Sequence, residues 1–281
     1  MSYTTLISAE HLLQNLTHPD WVLLDCRFSL ADADAGARSY RKGHIPNARY
    51  AHLNKDLSSP VTGYTGRHPL PDFSLLTRKL GFWGVGNRSQ LVVYDDAGGA
   101  FAGRLWWLLR CMGHENAAVL DGGFNHWQRL GHPLTTALPI TKPVVFRMYL
   151  NEKNWLSAAQ VRDQLAAKTI RLIDARTPER FRGEQEPIDP VAGHIPGALN
   201  RPYQSNLDSR GLFLPPEELR RQFKRILNNH PAENTVHMCG SGVTACHNLL
   251  AMERAGLSGS RLYAGSWSEW IRNKNRAVVI G

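Results

Sequence analysis

"HMCGSGVTACHNLL", residues 237–250, sets one cysteine between two different kinds of chain. The residues leading into it, "NTVHM" at 234–238, are a short apolar run of strand length. Those after it, "TACHNLLAMERAG", read as a helix that stops at Gly256, a natural C-cap. Between them "CGSGVT" carries two glycines and two hydroxyl residues in the five positions after Cys239. A strand, a glycine turn and a helix in that order are the building unit of an α/β fold with a mostly parallel sheet. In such sheets chemistry sits beyond the carboxyl ends of the strands, which is where Cys239 falls.

The same grammar occurs earlier in the chain. "QLVVYDDAGG" at 90–99 resembles "NTVHMCGSG" at 234–242. Outward from there, "VLLDCRF" at 22–28 matches "RLIDART" at 171–177, and "YRKGHIPNARY" at 40–50 matches "VAGHIPGALN" at 191–200. "ISAEHLLQNL" from Ile7 matches "LSAAQVRDQL" from Leu156, and "AVLDGGFNHW" at 118–127 matches "RLYAGSWSEW" at 261–270. Five matches keep their order at offsets of 143 to 150 residues, so the chain is a duplicated domain rather than a short-period solenoid. The expected division is 1–134 and 155–281, with the aperiodic, proline-bearing stretch 135–154 as linker. Ser8 and Ser157 are expected helix N-caps, and Ser157 with Gln160 fits a capping box.

Composition narrows the function classes. The 281 residues include no apolar run long enough for a membrane span, and the first ten show no secretory pattern. Four cysteines are too few for a disulfide scaffold, so a reducing cytoplasm is expected. The formal charge of +9 suits small anions; with no run of five Lys or Arg and no aromatic RNA-binding signature, neither nucleic acid nor membrane is an expected partner. The internal duplication already makes a two-domain unit, so a monomer is expected.

A free cysteine has a pKa of about 8.5, which a helix N-terminus or cationic surroundings lower. Gly240 and Gly242 let successive amides curl inward as an anion nest, the helix from Val243 or Thr244 adds its positive end, and Ser241 and Thr244 add hydroxyls. The expectation is a ring of amides around the sulfur that holds a thiolate and then a persulfide. The competing readings are a core cysteine beside a tight turn, a cysteine phosphatase, and a metal site of His237, Cys239 and His247. The phosphatase needs an arginine where this chain has Ala245, and no metal-ligand spacing supports the third. Where the second copy has Cys239, the first has Asp95, so one copy is expected to work and the other to be inactive.

These residues resemble the tandem rhodanese family of sulfurtransferases, over nearly the whole chain. The resemblance rests on "GHIPNA" and "GHIPGA", "LIDARTPERF", "CGSGVT", "DGGFNHW" and "GSWSEW". It implies two rhodanese-like domains, the first inactive and the second catalytic, each a mostly parallel sheet flanked by helices. It implies a ping-pong reaction without cofactor or metal: Cys239 takes a sulfane sulfur from 3-mercaptopyruvate or thiosulfate, then passes it to a thiol, thioredoxin or cyanide. The alternative is a persulfide relay or binding module that serves one protein partner with little small-molecule turnover.

The resemblance also implies roles for single residues. Arg180 meets the donor's anionic group, with Arg182 nearby to share the task. Ser241 and His68 act with Cys239, and Asp56 is a weaker candidate to orient His68. Gly240, Gly242, Val243 and Thr244 line the donor site. Asp174 reads as structural, and so do His44 and His194, because the twin "GHIP" turns occur in the inactive copy too. "RLWWLLRCMG" at 104–113 reads as core, with Arg104 at its start a candidate to face the site, and Cys26, Cys111 and Cys246 read as buried. The loop is similar to that of the mercaptopyruvate group. That group carries a second arginine nine residues after the first, where this chain has Asp189, a feature closer to the thiosulfate type. On this reading Asp189→Arg widens the preference for mercaptopyruvate.

Overall fold

Ten short strands follow the apolar runs of the sequence. The computed structural model describes residues 2–281. In the first copy the strands are β1 (Leu6–Ile7), β2 (Trp21–Asp25), β3 (Ala48–Tyr50), β4 (Gln90–Tyr94) and β5 (Ala117–Leu120). In the second they are β6 (Trp155–Leu156), β7 (Arg171–Asp174), β8 (Leu199–Asn200), β9 (Thr235–Met238) and β10 (Arg261–Tyr263). All pairings are parallel, and the two sheets have the same strand order: β1-β5-β4-β2-β3 and β6-β10-β9-β7-β8. The middle strands, β4 and β9, are buried along their whole length, as continuous apolar runs in a parallel sheet require. Asp95 and Cys239 each stand one residue past the middle strand of their sheet.

Each sheet is packed by its own core. Leu23, Val92, Tyr94 and Trp127 belong to one; Leu172, Val236, Met238 and Trp267 belong to the other. Both expected N-caps form. Ser8 accepts from the His11 amide, and Ser157 and Gln160 close a capping box.

The repeated motifs carry repeated braces. Asp25 binds Arg27 through Nε and Nη2, and Arg27 reaches on to the Gly43 carbonyl at 2.8 Å. Asp174 holds Arg176 in the same way, and Arg176 reaches the Gly193 carbonyl at 2.7 Å. These buried pairs tie each "GHIP" turn to the neighbouring strand end. The histidines do the rest. His44 stacks on Tyr40 and bonds its carbonyl; His194 stacks on Phe181 and bonds its carbonyl. The structural reading of Asp174, His44 and His194 therefore has a mechanism in both copies.

The division of the chain departs from the sequence boundaries at three places. One unit takes the chain up to Ser59, then Leu70–Asn151 and Ser209–Leu212; the other takes Pro60–Pro69, Glu152–Asp208 and Phe213–Gly281. Most of the expected linker is thus a strap on the first unit. Thr135 pairs with His44, the Val144 amide donates to Gly81 O, the Asn151 amide donates to Cys111 O, and Phe146 is buried. Conversely, residues 60–69, inside the first repeat by sequence, pack with the second.

Candidate active site

Cys239 is buried, and its backbone is clamped by the helix that begins the "SWSEW" motif. Its amide donates to Ser266 Oγ at 3.1 Å, its carbonyl accepts from the Trp267 amide at 3.0 Å, and the Gly240 carbonyl accepts from the Ser268 amide at 2.9 Å. Ser266 holds φ +55°, a conformation that costs a non-glycine residue energy. Its hydroxyl, bonded to both the Cys239 amide and Tyr263 O, compensates. Gly242 is the other left-handed residue of the loop, at φ +75°; a β-carbon there would lie 2.2 Å from the Ala264 carbonyl oxygen, so only glycine fits. Gly240 takes no left-handed turn. Its lack of a side chain serves a different end, a close approach by arginines.

Segment 60–69 crosses over this loop. The Arg67 amide donates to Ser268 Oγ at 3.0 Å, and a β-carbon on Gly66 would strike the Gly265 carbonyl oxygen at 2.5 Å. That seat fixes two consecutive side chains. His68 Nδ1 shares a 2.7 Å hydrogen bond with Ser241 Oγ, and both residues are buried. Arg67 forms an ion pair with Asp189 and lays its guanidinium against Gly240.

Arg180 comes from the helix Pro178–Arg182 and meets the same glycine. Glu186 holds it with four contacts of 2.7–3.1 Å through Nε and Nη2, and Asp189 accepts from Nη2 at 3.2 Å. Glu186 also receives Arg176 at 3.3 Å. Burial pushes the Glu186 carboxyl up, but Arg180 and the Ile188 and Asp189 amides outweigh it and leave it below the ordinary value.

Cys239, Ser241, His68, Arg180 and Gly240 are thus brought together, with Val243 buried in the loop and Thr244 at the N-terminus of the helix Ala245–Arg254. Arg182 is not drawn in; two residues on from Arg180 it points to solvent and pairs with Glu184. Asp56 accepts from the His52 amide at 2.7 Å and pairs with Lys79. Arg104 is buried in the helix Ala102–Cys111 beside Trp107. Cys26, Cys111 and Cys246 are buried, and none of the four cysteines forms a disulfide. Among the described residues no cluster of three or more His, Cys, Asp or Glu is placed to hold a metal. His237 packs against Met252 and Phe223, where burial lowers its pKa to about 3, with Arg201 adding to the effect.

Arg67, Glu186 and Ser266 were not anticipated. Ser266 was within reach, because it aligns with Gly123, which holds φ +57° in the first copy. Arg67 and Glu186 carry no such signal.

A duplicated five-stranded parallel fold with a buried cysteine after the middle strand of one copy defines a tandem rhodanese-like protein. The rhodanese-like domain matches residues 8–130 and 157–273. The chain is 49% identical, over 100% of both chains, to the probable 3-mercaptopyruvate sulfurtransferase of Pseudomonas aeruginosa. It is 33% identical to the thiosulfate sulfurtransferase of Rattus norvegicus, covering 96% of this chain and 93% of that one. The 3-mercaptopyruvate sulfotransferase structure of Escherichia coli superposes with a TM-score of 0.78 at 30% identity, covering 95% of this chain and 100% of that one. The chain belongs to the rhodanese family, and it is an enzyme of sulfur transfer, a sulfurtransferase. No helix among the described residues is long and apolar enough to cross a membrane.

Proposed function

We propose that the protein is a 3-mercaptopyruvate sulfurtransferase with Cys239 as the sulfur carrier. The observation that carries this reading is the hydrogen bond between His68 and Ser241, two residues from the sulfur. Once its sulfur is transferred, mercaptopyruvate leaves as the enolate of pyruvate, which needs a proton, and a buried imidazole–hydroxyl pair is a means of delivering one. Thiosulfate leaves as sulfite and has no such need. The loop also lacks basic residues at Gly240 and Ser241. Beside it, Arg67, Arg176 and Arg180 are matched by Asp174, Glu186 and Asp189. A locally neutral site meets the charge of a monocarboxylate at lower cost than that of a thiosulfate dianion.

In the first half-reaction the Cys239 thiolate attacks the donor sulfur. The new S–S bond forms as the C–S bond breaks, its electron pair passes to the carbon as the enolate of pyruvate, and a proton completes pyruvate. In the second, an acceptor thiolate such as that of thioredoxin attacks the outer sulfur, and Cys239 leaves as thiolate. The unbridged cysteines support a reducing, cytoplasmic setting, and the internal duplication supports a monomer.

The test is a steady-state comparison of the two donors with one acceptor. A higher kcat/KM for mercaptopyruvate is expected, with a Cys239 adduct one sulfur atom heavier in the mass spectrum after donor alone. A higher value for thiosulfate overturns the donor assignment.

A further inference from the structure

We propose that Arg67 is the second donor-binding guanidinium of this enzyme, and that Asp189 holds it beside Arg180 over Gly240. The proposal deepens the mercaptopyruvate reading and rests on it. By sequence the site lacks an arginine, because Asp189 stands nine residues after Arg180. In the folded chain a guanidinium arrives from a segment more than a hundred residues away, and Asp189 receives it.

Three observations support this role over a surface strap. First, both guanidinia converge on the residue next to the sulfur carrier. A β-carbon on Gly240 would lie 2.7 Å from Arg67 Nη2 and 3.6 Å from both Arg180 Nη1 and Nη2. Second, donors remain available. Arg180 uses Nε and Nη2 on Glu186 and Asp189, which leaves Nη1 without an acceptor among the described residues, and Arg67 Nε has no protein partner there either. A guanidinium donor without a protein acceptor is open to a donor carboxylate, which takes it with charge-assisted bonds. Third, Asp189 joins the pair. One of its oxygens takes Arg67 and the other takes Arg180, so a buried carboxylate fixes the spacing of two groups that would otherwise repel.

The role of residue 189 is then the reverse of the one the sequence implies. Arginine at 189 does not complete the clamp. It removes the bridge and sets three guanidinia together.

The experiment uses the full chain with 3-mercaptopyruvate as donor and pyruvate, which shares its carboxylate and carbonyl, as non-reacting probe. Arg67→Ala is expected to raise KM roughly 10- to 100-fold, the loss of one charge-assisted contact, with a smaller change in kcat. Arg67→Lys, which keeps the charge but not the fork, should fall between. Pyruvate binding followed by calorimetry should weaken in step. Asp189→Arg should raise KM rather than lower it. Overturning results are a KM and a pyruvate Kd within about twofold of wild type in Arg67→Ala, or a lowered KM in Asp189→Arg. Wild-type turnover with an unmoved KM in Arg67→Ala removes the Arg67 role alone. A wild type that neither turns over mercaptopyruvate nor binds pyruvate removes the donor reading and Arg67 with it.

Discussion

The turns after β4 and β9 occupy the same address in two copies of one fold and do opposite things with it. After β4, the Asp95 carboxylate accepts four backbone amides: Ala97 and Gly99 on one oxygen at 2.8 Å each, Phe101 and Ala102 on the other at 2.7 and 2.8 Å. After β9, the amides of Ser241, Val243 and Thr244 have no acceptor among the described residues. The first copy shows that this turn aims amides at the residue just past the strand. With a carboxylate there, the donors are consumed and the turn is a knot. With a sulfur, they remain for an anion, either a thiolate or the persulfide it becomes. The clamp below is common to both: Phe124 donates to Asp95 O as Trp267 donates to Cys239 O.

The largest effect should come from moving the nucleophile. Cys239→Ser is expected to abolish transfer and the sulfur adduct, because an alcohol does not carry a sulfane sulfur. Asp95→Cys in that background should not restore either, since its turn lacks counterparts of Ser241, His68 and the arginine pair. Restored transfer would mean that the fold address suffices without its neighbours.

A smaller effect tests the knot. Asp95→Ala strands four amides, two of them buried, and is expected to cost about 2–4 kcal/mol of unfolding free energy after relaxation. Transfer by the folded protein should persist. Denaturant unfolding followed by a probe in the first unit checks it; an unchanged midpoint would show that water satisfies these amides as well as the carboxylate does.

The smallest effect concerns the middle strands themselves. β2 places Leu24 against Val93, and β7 places Ile173 against His237, so a histidine in one copy stands where the other has valine. The unfolded chain takes a proton on His237 near its ordinary value of 6.5, whereas burial keeps it neutral in the fold until about 3. The unfolded state therefore binds more protons between those values, and stability falls as pH drops through that window. His237→Val should flatten the loss of denaturation midpoint between pH 7 and pH 5. An equally steep loss would place the acid sensitivity elsewhere.

Much of this fold was legible because duplication repeats its signals. Strand-length apolar runs, the caps at Ser8 and Ser157, the twin "GHIP" turns and the position of Cys239 after a strand are local patterns, each confined to a few consecutive residues. Arg180 was legible through its motif. Arg182 was misleading for the same reason: a shared motif says nothing about which of two nearby arginines turns inward, and Glu184 keeps this one at the surface.

Backbone preference and apolar periodicity act over short range, and they are enough to specify two α/β copies, one with a cysteine and one with an aspartate past the middle strand. That residues 60–69 pack with the second copy, that His68 meets Ser241, and that Asp189 joins Arg67 to Arg180 became visible only in the folded chain. Those outcomes depend on polar and charged groups brought together from distant segments, where burial makes each hydrogen bond and ion pair sensitive to every neighbour. No spacing along the chain encodes them.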